Sequence, residues 1–288
     1  MPGLKRITWT ELEKFGLPQD TTAVVNVAGQ NVLDPSRRWT PGFQQNVWNS
    51  RINSSKAIVK AIQGAAIKPD VFVNVSGVSL YKPSDKVYTE DDKGQDYDYM
   101  SKLCLEWEKA ADLNSECGVR NVKIRTGVVL GREGGMIKNL ILPFWFGMGG
   151  PVCDGKQILP WIHMIDLCNL IKYSIENKNV NGVLNATAPE IITNMQFSKV
   201  VKELWYYLPE HTLTKFVFSF KAFAKALFRP ALIPLPEFVV KAIFGNERMV
   251  LLTTGAKVMP KRTLETGFKF EYPTIQKATK EVGSLFMF

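Results

Sequence analysis

The residues of this 288-residue chain best placed for chemistry stand where apolar runs stop. Ala28-Gly29 ends the run Ala23 to Val27, Ser76-Gly77 ends Val71 to Val75, and Gly127 to Gly131 ends NVKIRTGVVLG. In a parallel sheet, ligands bind outside the carboxyl ends of the strands, so these three stops lie along one candidate edge. Arg51 can offer a guanidinium to a phosphate, although an exposed helix arginine usually meets only water. His163 and Asp166 in PWIHMID have the spacing of a helical charge pair, but Asp166 near a helix start is the better reading. GREGGM, Gly131 to Met136, fits neither G-x-G-x-x-G nor the P-loop pattern and is expected to border the ligand as a loop.

Other chemistries are excluded by counting. The two histidines, His163 and His211, have no paired ligand at zinc-site spacing, so no metal site is expected. Cys104, Cys117, Cys153 and Cys168 show no C-x-x-C and no disulfide density. An intracellular, reducing compartment is the expectation, with cytoplasm and mitochondrion left open. The net charge of +9 is scattered without a run of five basic residues, so a nucleic-acid arm is not expected. The first seventeen residues have neither a secretory apolar core nor a transit-peptide composition. No run approaches eighteen apolar residues, which argues against a membrane span.

The elements that must position the candidate edge follow from periodicity. Thr8 to Phe15 can form a short helix capped by Thr8 or Thr10. From Pro41, Phe43, Val47, Ile52, Ile58 and Ile62 recur at helical spacing. YMSKLCLEWEKAADLN is helical, NVKIRTGVVLG is a third strand, and a helix is expected after Asp166. Strands alternating with helices predict βαβ units and an α/β fold with a parallel sheet. From about Gly147 a Gly/Pro-rich texture leads to a smaller, mainly helical C-terminal part.

NVAGQN, RRW, RTGVVLGREGG, LPWIHMIDL, GVLNATAP, PLPEFVV and PKRTLETGFKF together resemble the epimerase-like family 39U of the short-chain dehydrogenase/reductase superfamily, over nearly the whole chain. The resemblance implies a Rossmann-like domain over 1–150 that holds NADP(H), a substrate-side domain over 151–288, and an oxidoreductase or epimerase-like activity on an unidentified small molecule. A non-catalytic binding or regulatory protein is the alternative. By resemblance, Val27, Ala28, Gly29, Asn46, Arg51 and Met100 contact the cofactor. Ser76 takes the place of the superfamily's strand-end hydroxyl, and Lys102 that of the lysine that holds the nicotinamide ribose and lowers a tyrosine's pKa. The superfamily's tyrosine stands four residues before that lysine, where this chain has Asp98. Tyr97 and Tyr99 straddle the position, each rotated by roughly 100° on a helix. Tyr99 could serve only through an irregular helix start.

Two further departures set expectations. The family opens with a strand and a Gly-rich turn, whereas LKRITW corresponds to a later segment, so a sheet lacking its first βαβ unit and weak or no NADP(H) binding are expected of this N-terminally truncated form. Its Ala23 to Val27 strand would then be an apolar edge. About residues 203–222 look inserted, and the apolar stripe within 212–229 could touch a membrane surface, although a packed or partner-facing helix is the commoner outcome.

Overall fold

Val71 to Gly77 is apolar apart from Asn74 until its last two residues, the pattern of a strand covered on both sides, and the tertiary structure covers it so. The computed structural model describes residues 5–34, 36–131, 150–207 and 234–284. Four strands, β1 (Ala23–Asn26), β2 (Val71–Gly77), β4 (Arg120–Thr126) and β8 (Gly182–Ala186), form a parallel sheet in the order β1-β2-β4-β8. Ala23 pairs with Val71, Val71 with Arg120, and Val122 with Gly182. The fourth strand comes from beyond residue 150, so the sheet draws on both of the sequence halves expected as domains.

One face of the sheet carries α1 (Trp9–Phe15), α2 (Pro41–Gly64) and α3 (Tyr99–Ala110). Thr8 caps α1 and forms a reciprocal capping box with Glu11. Phe43, Val47, Ile52, Ile58 and Ile62 of α2 are buried, as their spacing predicts. Leu12, Ile58 and Ile62 pack on Phe72 of β2, and Phe43 and Val47 on Leu103 of α3. The other face carries α4 (Met164–Glu176), whose Leu167 and Leu170 join Val71, Val73, Val75, Ile124 and Leu184. β1 lies at the sheet edge, with no strand on its outer side among the described residues. Val25 and Val27 are accordingly exposed.

Two expected boundaries differ. NVKIRTGVVLG is not one strand: β4 stops at Thr126, and β5 (Val128–Leu130) pairs instead with β7 (Trp161–His163). The break is at Gly127, where an added Cβ would lie 2.6 Å from the Pro160 carbonyl oxygen. The chain of residues 158–161 crosses there, and only glycine lets it pass so closely. Helix α4 begins at Met164 rather than after Asp166, because the His163 ring nitrogen Nδ1 accepts from the Ile165 N–H at 3.3 Å and caps it.

Short pairings attach the C-terminal part. β10 (Lys257–Val258) pairs with β3 (Val87–Tyr88), and β6 (Ile158–Leu159) with β9 (Ile192–Thr193). Helices α5 (Asn194–Tyr207), α6 (Glu237–Thr253), α7 (Lys261–Glu265) and α8 (Ile275–Ser284) complete the described chain. Asp166 is fully buried and accepts the N–H groups of Glu271 and Tyr272 at 2.7 and 2.9 Å. Burial still raises its pKa above the ordinary aspartate value, and the two N–H groups offset only part of the rise. The loop read at Gly131 to Met136 lies, past Gly131, outside the described residues, as do residues 208–233 with the stripe of 212–229. No described helix is long and apolar enough to cross a membrane.

Candidate functional site

The ends of β1, β2 and β4 form the edge marked by Ala28-Gly29, Ser76-Gly77 and Thr126-Gly127. At the first, the buried Asn26 side chain organises the exit. Its Oδ1 accepts from the Ala28 N–H at 3.1 Å, which turns its Nδ2 toward Asn74 Oδ1 (2.8 Å) and Ser55 Oγ (3.0 Å). Asn74 is thereby oriented with its own Nδ2 buried and without a partner among the described residues. Val27 and Gly29 are exposed and Ala28 half-buried.

Arg51 reaches this exit from α2. Its guanidinium would lie 3.0 Å from a Cβ on Gly29, rests over the Trp107 ring at 5.0 Å from the centroid, and donates to the Val47 carbonyl at 3.1 Å. Burial lowers its pKa from the ordinary arginine value, and no carboxylate pairs with it among the described residues. Asn46, on the same helix, is exposed, while Met100 is buried in the first turn of α3.

The second exit differs from the expectation of an available hydroxyl. Ser76 is 1% exposed, and its Oγ donates to Glu108 Oε1 at 2.7 Å. Glu108 is held by Arg125 through two bonds, Nε to Oε1 at 2.8 Å and Nη2 to Oε2 at 2.9 Å. Burial opposes the Arg125 charge, but the bonds and charge of Glu108 outweigh it and raise the pKa. Arg125 Nη1 also donates to the Tyr81 hydroxyl (2.8 Å), which lies within bonding distance of the Thr89 carbonyl and Asn185 Oδ1. Asn185 N–H donates to Glu90 Oε1, which also accepts from the Thr263 hydroxyl, so the network runs from β2 to α7. Sequence reading singled out Tyr81 as a residue that faces or covers the cleft, but passed over Glu108 and Arg125. The usable sign was a lone arginine in the apolar strand NVKIRTGVV, since a buried charge needs a partner.

The Tyr candidates are engaged by the protein, and the Lys candidate is exposed. Asp98 is the N-cap of α3: its side chain accepts from the Ser101 N–H at 2.7 Å, and Ser101 Oγ accepts from the Asp98 N–H at 2.8 Å. The residue standing where the superfamily has tyrosine therefore starts the helix regularly. Tyr99 is the first residue of that helix, with its hydroxyl donating to the Gln44 carbonyl at 2.9 Å and its ring edge-on to Trp39. The Tyr97 hydroxyl donates to the Ser79 carbonyl at 2.7 Å. Burial raises the pKa of both phenols, so both keep their protons. Lys102, on α3, is exposed. Among the described residues no cluster of His, Cys, Asp or Glu could hold a metal ion.

The edge thus offers backbone and an arginine, a set suited to an anionic, oxygen-rich ligand, and comparisons with known proteins point the same way. Residues 5–186 match the model of the NAD dependent epimerase/dehydratase family, and residues 235–282 match a domain of unknown function, DUF1731. The chain is 42% identical over 283 residues to the epimerase family protein SDR39U1 of Mus musculus, covering 98% of this chain and 88% of the relative. It is 32% identical over 259 residues to the epimerase family protein YfhF of Bacillus subtilis, covering 90% and 77%. It superimposes on the crystal structure of human SDR39U1 isoform 2 with NADPH at a TM-score of 0.87 and 41% identity, covering 99% of this chain and 88% of that one. A parallel sheet with its candidate site at the strand exits, and a match spanning most of that sheet, make this chain a member of the NAD dependent epimerase/dehydratase family.

Proposed function

We propose that the chain binds NADP(H) along the carboxyl edge of its sheet and acts as an oxidoreductase or epimerase-like protein on a small molecule. The carrying observation is Arg51, a half-buried guanidinium packed flat against Gly29 with no carboxylate partner among the described residues. Burying such a charge is costly unless something answers it, and a phosphate does so with charge-assisted bonds. The exposed backbone of Val27 and Gly29 lies beside that guanidinium and suits the same ligand. The crystallised human relative was solved with NADPH, which supports the choice of nucleotide. When bound, the nicotinamide supplies hydride transfer, and the residues of this chain hold and orient it.

Affinity is expected to be weak. The 288 residues contain neither G-x-G-x-x-G nor a P-loop, the patterns that present a helix N-terminus to a pyrophosphate. One observation favours a second reading, binding without turnover: the phenols of Tyr97 and Tyr99 are spent on carbonyls while Lys102 faces solvent.

Titration of the chain with NADPH, followed by nucleotide fluorescence, tests the binding. Weak saturable binding is expected, with Arg51→Ala raising Kd at least tenfold, since a bond to a charged group contributes about 1.5–3 kcal/mol. Absence of binding sinks the proposal. NADPH oxidation across a carbonyl panel, abolished in Lys102→Ala, would favour the enzyme over the binding protein.

A further inference from the structure

We propose that Ser79, not Ser76, supplies the hydroxyl that bonds the ligand at the β2 exit, an inference that rests on the dinucleotide reading above. The strand ends offer few hydroxyls, and most are already used. Ser76 donates to Glu108 at 2.7 Å. That carboxylate, gripped by Arg125, is an acceptor only, so the Ser76 proton points into the protein. Thr126, at the end of β4, donates to the Gly127 carbonyl at 3.1 Å. Thr187, just past β8, donates to the Val258 carbonyl at 3.3 Å. Ser79 is half-buried, and its hydroxyl makes no hydrogen bond among the described residues.

Its direction follows from the local turn. Val78–Leu80 is a 3-10 helix, in which successive side chains point about 120° apart. Val78 and Leu80 both enter the core made with Tyr81, Tyr88, Cys104, Ala256 and Val258. Ser79 takes the third direction, away from that core. Its backbone is fixed from behind, because the Tyr97 hydroxyl donates to the carbonyls of Ser79 (2.7 Å) and Tyr81 (3.2 Å). The Gln95 N–H donates to the Leu80 carbonyl at 2.9 Å and closes the turn against the loop leading to α3. A clamped turn at the end of a strand, presenting one hydroxyl with both its proton and its lone pairs uncommitted, is a preorganised donor. The oxygens of a dinucleotide, in phosphate, ribose and carboxamide, are its natural acceptors.

The test uses the full chain and NADPH. For Ser79→Ala the NADPH Kd is expected to rise three- to tenfold, the loss of about one net hydrogen bond. Ser115→Ala, on an exposed turn, serves as the handling control. In Ser79→Cys, the new thiol should react with iodoacetamide, followed by peptide mass spectrometry, and saturating NADPH should slow that reaction at least tenfold. A Kd for Ser79→Ala within twofold of the unsubstituted chain, or an alkylation rate at residue 79 unchanged by NADPH, overturns the assignment. Failure of the unsubstituted chain to bind NADPH at all overturns the dinucleotide reading first, so the two failures are told apart.

Discussion

Ser76 Oγ donates to Glu108 Oε1 at 2.7 Å, and Arg125 holds both oxygens of the same carboxylate. A buried bidentate pair is expensive to break from one side. Glu108→Ala leaves the Arg125 charge uncompensated and should destabilise the fold by about 3–5 kcal/mol, read as a shifted urea midpoint. Glu108→Gln, which keeps an acceptor for Ser76, should cost less. Equal losses for the two variants would show that charge is not what Arg125 requires.

Asp98 occupies the place of the superfamily's tyrosine because it caps α3. Asp98→Tyr therefore restores the Tyr-x-x-x-Lys frame in sequence while removing the cap. Thermal unfolding should show a loss of about 0.5–2 kcal/mol. Asp98→Tyr should bring no gain in NADPH-dependent carbonyl reduction over the unsubstituted chain, since Lys102 lies on the exposed side of the helix. A gain of reductase activity would contradict that placement.

Gly127 marks where one predicted strand becomes two. Gly127→Ala would put a methyl group 2.6 Å from the Pro160 carbonyl, a backbone atom that cannot swing aside. Overpacking of this kind costs roughly 1–3 kcal/mol, and a lowered melting temperature should report it.

Cys104 is buried, and burial, aided by the nearby Glu108 charge, pushes its thiol up to about 12 from the ordinary 9.0. A folded-state pKa raised in this way favours the native state below pH 9, and that contribution is lost as pH rises from about 9 through 12. Iodoacetamide at pH 8 should consequently label the exposed Cys168 and leave Cys104 unmodified in the native protein. Denaturant should equalise them. Prompt native labelling of Cys104 would refute the burial argument.

Much of the architecture was legible in local pattern. Phe43, Val47, Ile52, Ile58 and Ile62 announced α2 because burial of one helix face repeats every three to four residues. The runs at Ala23 and Val71 announced β1 and β2 because strands of a parallel sheet are mostly apolar. The split at Gly127 was not legible, since its cause is the backbone of residues 158–161 arriving from thirty residues away. Among the site residues, Arg51 and Gly29 meet at the β1 exit, whereas Ser76 and Tyr99 are bonded within the protein and Lys102 is exposed.

The sequence by itself determined which residues end the strands, which helices follow them, and that position 98 is not a tyrosine, because each of these is a matter of local type and spacing. Only the tertiary structure decided which way the polar groups turn. Arg125 claims Glu108, Glu108 claims the Ser76 proton, and Tyr97 clamps the next turn with Ser79 left facing outward. Buried donors and acceptors must be paired off among partners distant in sequence, and the group left over after that pairing is the one available to a ligand.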